Sequence, residues 1–276
     1  EGIVFRTNAN AGINVPLEEL RTSFDAICLC GGATQGRDLN VPGRDLHGIH
    51  LAMEYLAQQN KHDFGERDEN QISAKDKHVV ILGGGDTGSD CLGTALRQGA
   101  KSVQQFELLP RPPQARTSDM PWPYWPMILR MSSSHEEGGM RDWSINTKFF
   151  SGENDRVSRL HAVRLEWTKG ADGRLGMREI PGSEFEIPCE LCLLAMGFVH
   201  PEHAGIIEQL GAALDARGNV ATNSSYLTSV PGVFSAGDMR RGQSLVVWAI
   251  AEGRNAARAI DEFLMGRSDL YGGTCR

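Results

Sequence analysis

Short apolar runs that close on glycine, alternating with stretches of helical period, organise this chain. Val79-Val-Ile-Leu82 is β-branched and uninterrupted, the pattern of a strand buried on both faces. Ser89 to Gln98 then predicts a helix, and Ser102 to Leu109 a second strand. Phe24 to Cys30, Leu191 to Ala195 and Val233 to Ala236 repeat the strand pattern and run into Gly31-Gly32, Gly197 and Gly237. Shorter helices are expected over Pro16 to Arg21, His50 to Gln59 and Ile206 to Leu210, and a short strand over Asn219 to Thr222. From Leu245 onward, Val246, Ala249, Ile250, Gly253, Ala256, Ala257, Ile260 and Leu264 keep helical spacing. Strands interleaved with helices predict an α/β fold around a parallel sheet. Thr147 to Phe150, the alternating Val157 to Trp167 and the turn-rich Gly170 to Gly176 instead predict an antiparallel meander interrupting it. Asn60 to Asp76 is polar and reads as a linker. Pro110 to Asp142 reads as a long loop, and its segment Pro121-Trp-Pro-Tyr-Trp-Pro126 as a rigid packed surface or partner contact.

Composition narrows the picture. The 276 residues suffice for two compact units, and a net charge of −7 argues against binding nucleic acid or anionic membranes. No apolar run approaches the roughly 20 residues of a membrane span. The chain opens at Glu1 without a methionine, so it is expected to be a piece of something longer. Of six cysteines, Cys28 and Cys30 alternate within one apolar run and are expected in the core. Cys189-Glu-Leu-Cys192 is formally a C-x-x-C, a redox dithiol or half a metal site. It runs straight into a buried-strand pattern, however, whereas a redox pair prefers a helix start, which favours a structural role. This usage suits a reducing, cytoplasmic setting.

The candidate chemistry lies where strands end. Gly83, Gly85 and Gly88 have the G-x-G-x-x-G spacing, with Asp86 and Thr87 between them, after a strand and opening a helix. The first glycine allows the tight turn, the second admits a pyrophosphate to the backbone, and the third lets helix pack on strand. Unpaired N–H groups and the dipole at the helix start favour that anion. A nicotinamide dinucleotide half-site is the expected reading; a ligand-free glycine turn is the other. Glu107, ending the next strand, sits near where an acid holds ribose hydroxyls. Arg111 and Arg116 either receive a 2′-phosphate or are solvated loop charges. Gly31-Gly32 is a cofactor approach or an ordinary turn. Asp238 is a cofactor ligand or a simple cap. His135-Glu136-Glu137 lacks the second histidine of a zinc helix and is expected to be a solvated charge run.

Several motifs carry a resemblance that spans essentially the whole chain. They are Gly-Gly-Gly-Asp-Thr-Gly-Ser-Asp-Cys91, Pro-Trp-Pro-Tyr-Trp-Pro126, Leu-Leu-Ala-Met-Gly-Phe198 and Ala-Gly-Asp-Met-Arg-Arg-Gly-Gln-Ser-Leu-Val-Val-Trp-Ala-Ile-Ala-Glu-Gly253. Together they resemble the small (β) subunit of glutamate synthase. The resemblance implies two nested Rossmann-like dinucleotide-binding domains of the pyridine nucleotide-disulfide oxidoreductase kind, the flavin domain incomplete in this sequence. Residues 1–74 and 198–276 would be flavin-domain segments, and 75–197 an inserted NAD(P)H-binding domain. FAD would meet Gly32, Gly237, Asp238, Leu245, Val246 and Val247. NADPH or NADH would meet Gly83, Gly85, Asp86, Thr87, Gly88 and Gly197, with Glu107 or Arg111 near the adenosine ribose.

The implied activity is hydride transfer from NAD(P)H to FAD. Electrons would then pass through iron–sulfur clusters to the glutamate synthase large subunit, for L-glutamate synthesis from 2-oxoglutarate and glutamine. Such a transfer needs positioning rather than acid–base side chains, so no catalytic residue is expected. The family's first flavin glycine motif and its cysteines for two [4Fe–4S] clusters are not in these residues, so weak FAD retention and no activity are expected of the piece alone. Two other classes remain: a thioredoxin-reductase-like dithiol flavoenzyme using Cys189 and Cys192, and a non-catalytic dinucleotide-binding fragment.

Overall fold

The computed structural model describes residues 2–66, 69–122, 126–170 and 175–271. Cα packing divides the chain into one unit of residues 36–197 and another of 1–35 with 198–276.

The 36–197 unit is built on a five-stranded parallel sheet. Its strand order is Ile49–Leu51, Leu191–Leu194, His78–Leu82, Ser102–Glu107, Met140–Trp143. The His78–Leu82 strand is central, and side-chain alternation explains its unbroken apolar run. Val79 and Ile81 pack with Tyr55, Cys91, Leu92 and Ala95 beneath the helices Ala52–Asp63 and Asp86–Arg97. Val80 and Leu82 pack on the opposite face with Ile145, Phe150, Val157 and Leu160. Those last four belong to the expected antiparallel layer, Ile145–Glu153 and Arg156–Lys169, flanked by Phe185–Pro188 and Leu175–Glu179. Asn154 and Asp155, with φ of 50° and 58°, close its hairpin, two residues of the kind that tolerate the left-handed turn the strand twist demands.

Four expectations need correcting here. Ile49–Leu51 is an edge strand, so the helix starts at Ala52 rather than His50. The polar 60–76 stretch is not a simple linker: the helix continues to Asp63, and Ala74 is fully buried. Gln58 bonds both backbone groups of Ile72, and the Gln98 carboxamide accepts from Tyr55 Oη and the Ala74 N–H. Residues 36–74 therefore pack with the sheet of the 36–197 unit, whereas the sequence partition places its boundary after residue 74. Third, the 110–142 loop contains a helical turn, Ser133–Glu136, and ends in the edge strand Met140–Trp143. Its Pro123, Tyr124 and Trp125 lie outside the described residues.

In the other unit, Ile27–Leu29 pairs in parallel with Val233–Ser235. Leu29, Val233, Ile207, Leu210, Val220 and Met239 form its core. Helices Leu17–Ser23, Ile206–Leu210 and Val246–Met265 are present as expected. The fourth correction is Asn219 to Thr222, which makes only isolated bridges, Leu214 to Val220 and Thr222 to Thr228. The Asp215 carboxylate takes the Asn219 backbone and side-chain N–H groups instead, curling the chain. No helix among the described residues is long and apolar enough to cross a membrane.

Candidate functional site

At the carboxyl end of His78–Leu82 the glycines occupy different surroundings. Gly83 takes φ 122°, and a Cβ there would run into the Ala195 carbonyl of the neighbouring strand. At Gly84 a Cβ would strike the Glu107 carboxylate, and at Gly88 the Gly83 carbonyl and the Gln105 carboxamide. Gly85 alone of these four has nothing within 4 Å of its Cβ position. It is the N-cap of the Asp86–Arg97 helix, whose start no side chain caps. Gly85 and Asp86 are exposed, Thr87 half-buried and Gly88 buried. The loop is thus closed by contact on three sides and open at the helix N-terminus, where N–H groups and dipole favour an anion. These residues fit a dinucleotide pyrophosphate. Gly197, φ 82°, lies past the next strand, with its carbonyl accepting the Arg37 N–H at 2.9 Å.

Glu107 ends its strand beside Gly84, its carboxylate also accepting the Leu109 N–H at 3.3 Å. Trp143 pairs with it in register on the adjacent strand. The guanidinium groups of Arg111 and Arg141 lie 5.1 and 5.2 Å from that indole. Burial, and then Arg111, push Arg141 below its ordinary value, while Glu107 pulls it back up. Arg116 instead turns into its own loop, donating to the Met120 carbonyl at 2.6 Å. Arg141 and Trp143 were not legible as site residues, because the loop reading hid the strand that carries them.

The His135 expectation is also corrected. Ser134 beside it is buried, and Glu137 holds Arg97 by two hydrogen bonds. His135 caps its own helical turn through Ser132 and reaches Gln105 on the sheet at 2.9 Å. Glu136 and Glu137 are both exposed, as a solvated run requires, although Glu137 is paired.

In the other unit, Gly32 follows its strand at φ 81° with open space around its Cβ position. Gly237, φ 68°, opens the Asp238–Arg241 turn, and Asp238 accepts from Ser244 Oγ at 2.8 Å. Leu245 is the N-cap of Val246–Met265, which no side chain caps. Leu245, Val246 and Val247 are 43, 71 and 60% exposed. Bare backbone at Gly32, a carboxylate at Asp238 and an open helix start edged by apolar side chains fit a flavin dinucleotide. Glu252, unsuspected from sequence, braces this turn: it accepts the Gly237 N–H at 3.0 Å and pairs with Arg240 and Arg241. An acid at the i+3 position from Ala249 and the i−4 position from Ala256, on the apolar stripe, was the available signal.

The cysteines divide differently from expectation. Cys189 and Cys192 are fully buried, and burial drives the Cys192 thiol well above its usual range. Cys28 and Cys30, expected in the core, are exposed, with sulfurs 3.5 Å apart. Ile27–Leu29 belongs to a two-stranded sheet, and the thiols stand on a face that no other element covers enough to bury them.

The profile described as "Pyridine nucleotide-disulphide oxidoreductase" matches residues 13–253. The chain belongs to that family. The glutamate synthase [NADPH] small chain of Mycobacterium tuberculosis (strain ATCC 25618 / H37Rv) is 52% identical over 275 residues. The match covers 98% of this chain and 55% of that one, so the chain spans about half the length of this curated relative. The glutamate synthase [NADH] of Schizosaccharomyces pombe is 48% identical over 288 residues, 99% of this chain and 13% of that protein. The family fold is shared with FprA of Mycobacterium tuberculosis in complex with NADPH. That match has a TM-score of 0.67 at 18% identity, covering 94% of this chain and 67% of that one. The glutamate synthase small-chain likeness therefore rests on sequence, and the α/β fold on sequence and structure together.

Proposed function

We propose that this chain is the electron-input part of a glutamate synthase small subunit. Residues 75–197 would hold a nicotinamide dinucleotide, and the segments 1–74 and 198–276 would contribute to holding FAD. When bound, the reduced nicotinamide would supply the hydride, and the flavin would supply its acceptance and delivery onward as single electrons. The chain's own work is to grip and orient them. Gly83, Gly84 and Gly88 fix the loop, Gly85 admits the pyrophosphate, and Asp86 and Thr87 begin the helix that faces it. Gly32, Gly237 and Asp238 would approach the flavin dinucleotide, and the Leu245 to Val247 helix start would meet the charge that develops on the reduced ring. In the longer protein, electrons would leave through iron–sulfur clusters to the large subunit, in the cytoplasm, for L-glutamate synthesis from 2-oxoglutarate and glutamine.

The observation that carries this reading is the open Cβ position at Gly85 among neighbours whose Cβ positions are filled. A featureless glycine turn would need no such distinction. The inaccessible Cys189–Cys192 pair speaks against a dithiol enzyme using those cysteines. Calorimetric titration of the chain with NADPH and NADH tests the assignment. Gly85→Val should abolish binding with an unchanged unfolding transition, because the side chain would occupy the pyrophosphate's position. Unchanged affinity in that variant overturns the site.

A further inference from the structure

We propose that His135 is a positioning residue for the glycine loop, acting through Gln105, and that it makes dinucleotide binding sensitive to acid. This rests on the dinucleotide reading of Gly83 to Gly88.

The hydrogen-bond roles along the path follow from the backbone groups that can only accept or only donate. The Gly83 carbonyl can only accept, so the Gln105 group 2.8 Å from it is the amide NH2. The Gln105 oxygen then faces His135 Nε2 at 2.9 Å and needs a donor. At the other side of the ring, Nδ1 accepts the Ser132 backbone N–H at 3.1 Å, a group that can only donate, and lies at the same 3.1 Å from Ser132 Oγ, which can take either role. The imidazole is therefore neutral and carries its proton on Nε2. Gln105 is 2% exposed, so neither of its amide groups has water as a ready substitute. The same helical turn is pinned to the glycine-loop helix, with Ser132 Oγ 2.9 Å from Ser89 Oγ and the Ser134 hydroxyl against Gly93. Histidine thus stands where a capping box ordinarily carries Glu or Gln. Its second ring nitrogen, on the far side from the cap, reaches the sheet at Gln105.

Protonating Nδ1 would set a donor against the Ser132 N–H and turn the ring towards Ser132 Oγ, which undoes the N–H half of the cap. The charged groups on and around the packed elements are Arg141, Glu107, Asp90, Arg97, Glu136 and Glu137. Glu137 is already held by Arg97, and among the described residues no carboxylate pairs with His135. Burial first, then Arg141, lower the ring's pKa from its ordinary 6.5. The neutral form is thus the folded state's own. Its contribution is complete above the ordinary histidine value and is lost as pH falls through the lowered one.

Two measurements test this. Ring 15N spectra of the ligand-free chain should show His135 as the Nε2–H tautomer near neutral pH; an Nδ1–H ring overturns the proposal without involving nucleotide. The second is NADH titration across pH, chosen because NADH has no 2′-phosphate to titrate. His135→Ala and Gln105→Ala should each weaken binding about three- to tenfold, and the double variant no more than the worse single one. The wild-type affinity should fall as pH drops through the lowered His135 value, beneath the ordinary histidine one, and that decline should vanish in His135→Ala. Wild-type binding with additive variants, or with a pH profile that His135→Ala leaves unchanged, overturns the positioning role and leaves the dinucleotide site standing. Loss of binding in wild type itself would fell the parent reading instead.

Discussion

The Glu252 carboxylate lies 2.7 Å from the Arg240 guanidinium and, with its second oxygen, 3.0 Å from the Gly237 N–H. One buried side chain on the Val246–Met265 helix therefore holds both ends of the Gly237 to Arg241 turn. Arg240 also bonds Thr222 Oγ1 and stacks on Tyr226, which ties the turn to the chain before it. Removing one partner of a buried charge pair costs about 3–5 kcal/mol, because the other is left uncompensated. Glu252→Ala should lower unfolding stability by about 3 kcal/mol on that scale, with Glu252→Gln losing less because its oxygen can still accept. Trp248, whose indole lies 4.0 Å from Arg241, is the fluorescence reporter. An unchanged denaturation midpoint in Glu252→Ala would sink this account of the turn.

Two alanine substitutions in the glycine loop should separate packing from ligand access. Gly88→Ala drives a methyl into the Gly83 carbonyl and the Gln105 amide. Overpacking of that kind costs about 1–3 kcal/mol. Gly85→Ala meets nothing, and at φ −81° it is conformationally ordinary. It should leave stability within about 0.5 kcal/mol of wild type while weakening dinucleotide binding. Equal stability losses at the two positions, read from urea unfolding, would contradict the division of labour among the glycines.

How much of this was visible beforehand follows from which interactions are local. The glycine spacing, the buried strand and the 246–265 helix are written in short-range pattern, and the structure has them. The edge strands Ile49–Leu51 and Met140–Trp143 gain their identity only from a partner strand, Leu191–Leu194 and Ser102–Glu107 respectively. Nothing within four residues of Met140 announces that pairing. His135 was discounted because its bonds run 30 residues back to Gln105. Cys28 and Cys30 were assigned to the core from alternation alone. Alternation names a shared face but not whether anything covers it.

The cysteines give a chemical test. The Cys28 thiol, hydrogen-bonded to Cys30, brings Cys30 down to about 7 against the opposing effect of burial. Cys28 itself is driven upward by the same bond and by burial. Cys30 should therefore react with iodoacetamide at neutral pH, at a rate that rises through about pH 7 as the thiolate forms. Cys91, pushed by burial to about 12, should react only on unfolding, as should the buried Cys189 and Cys192. Peptide mapping that finds Cys189 or Cys192 labelled first in the native chain would revive the dithiol alternative.

The last prediction concerns the choice between NADPH and NADH. On the proposed dinucleotide reading, Glu107 would accept from free ribose hydroxyls and repel a 2′-phosphate. The sequence offered Arg111 and Arg116 against it. Arg116 is engaged within its loop, whereas Arg111 lies over Trp143, the residue paired in register with Glu107. Arg141, on the same edge strand and over the same ring, joins Arg111 in the balance, with one guanidinium nitrogen donating to the Arg130 carbonyl at 2.8 Å and the others left to a phosphate. Arg111 and Arg141 over the ring beside one carboxylate give a net positive edge, and the partial burial of Arg141 lessens its screening by water. A well-placed charge-assisted bond contributes about 1.5–3 kcal/mol. NADPH should accordingly bind more tightly than NADH, with a preference that shrinks as salt is raised. Arg111→Ala and Arg141→Ala should each weaken NADPH binding at least about tenfold and leave NADH nearly unaffected. Trp143→Ala should weaken NADPH less than either, since it removes the ring the guanidinium groups lie over and neither charge. Tighter binding of NADH by the wild-type chain, or an unchanged NADPH affinity in both arginine variants, would show that the ribose faces Glu107 alone.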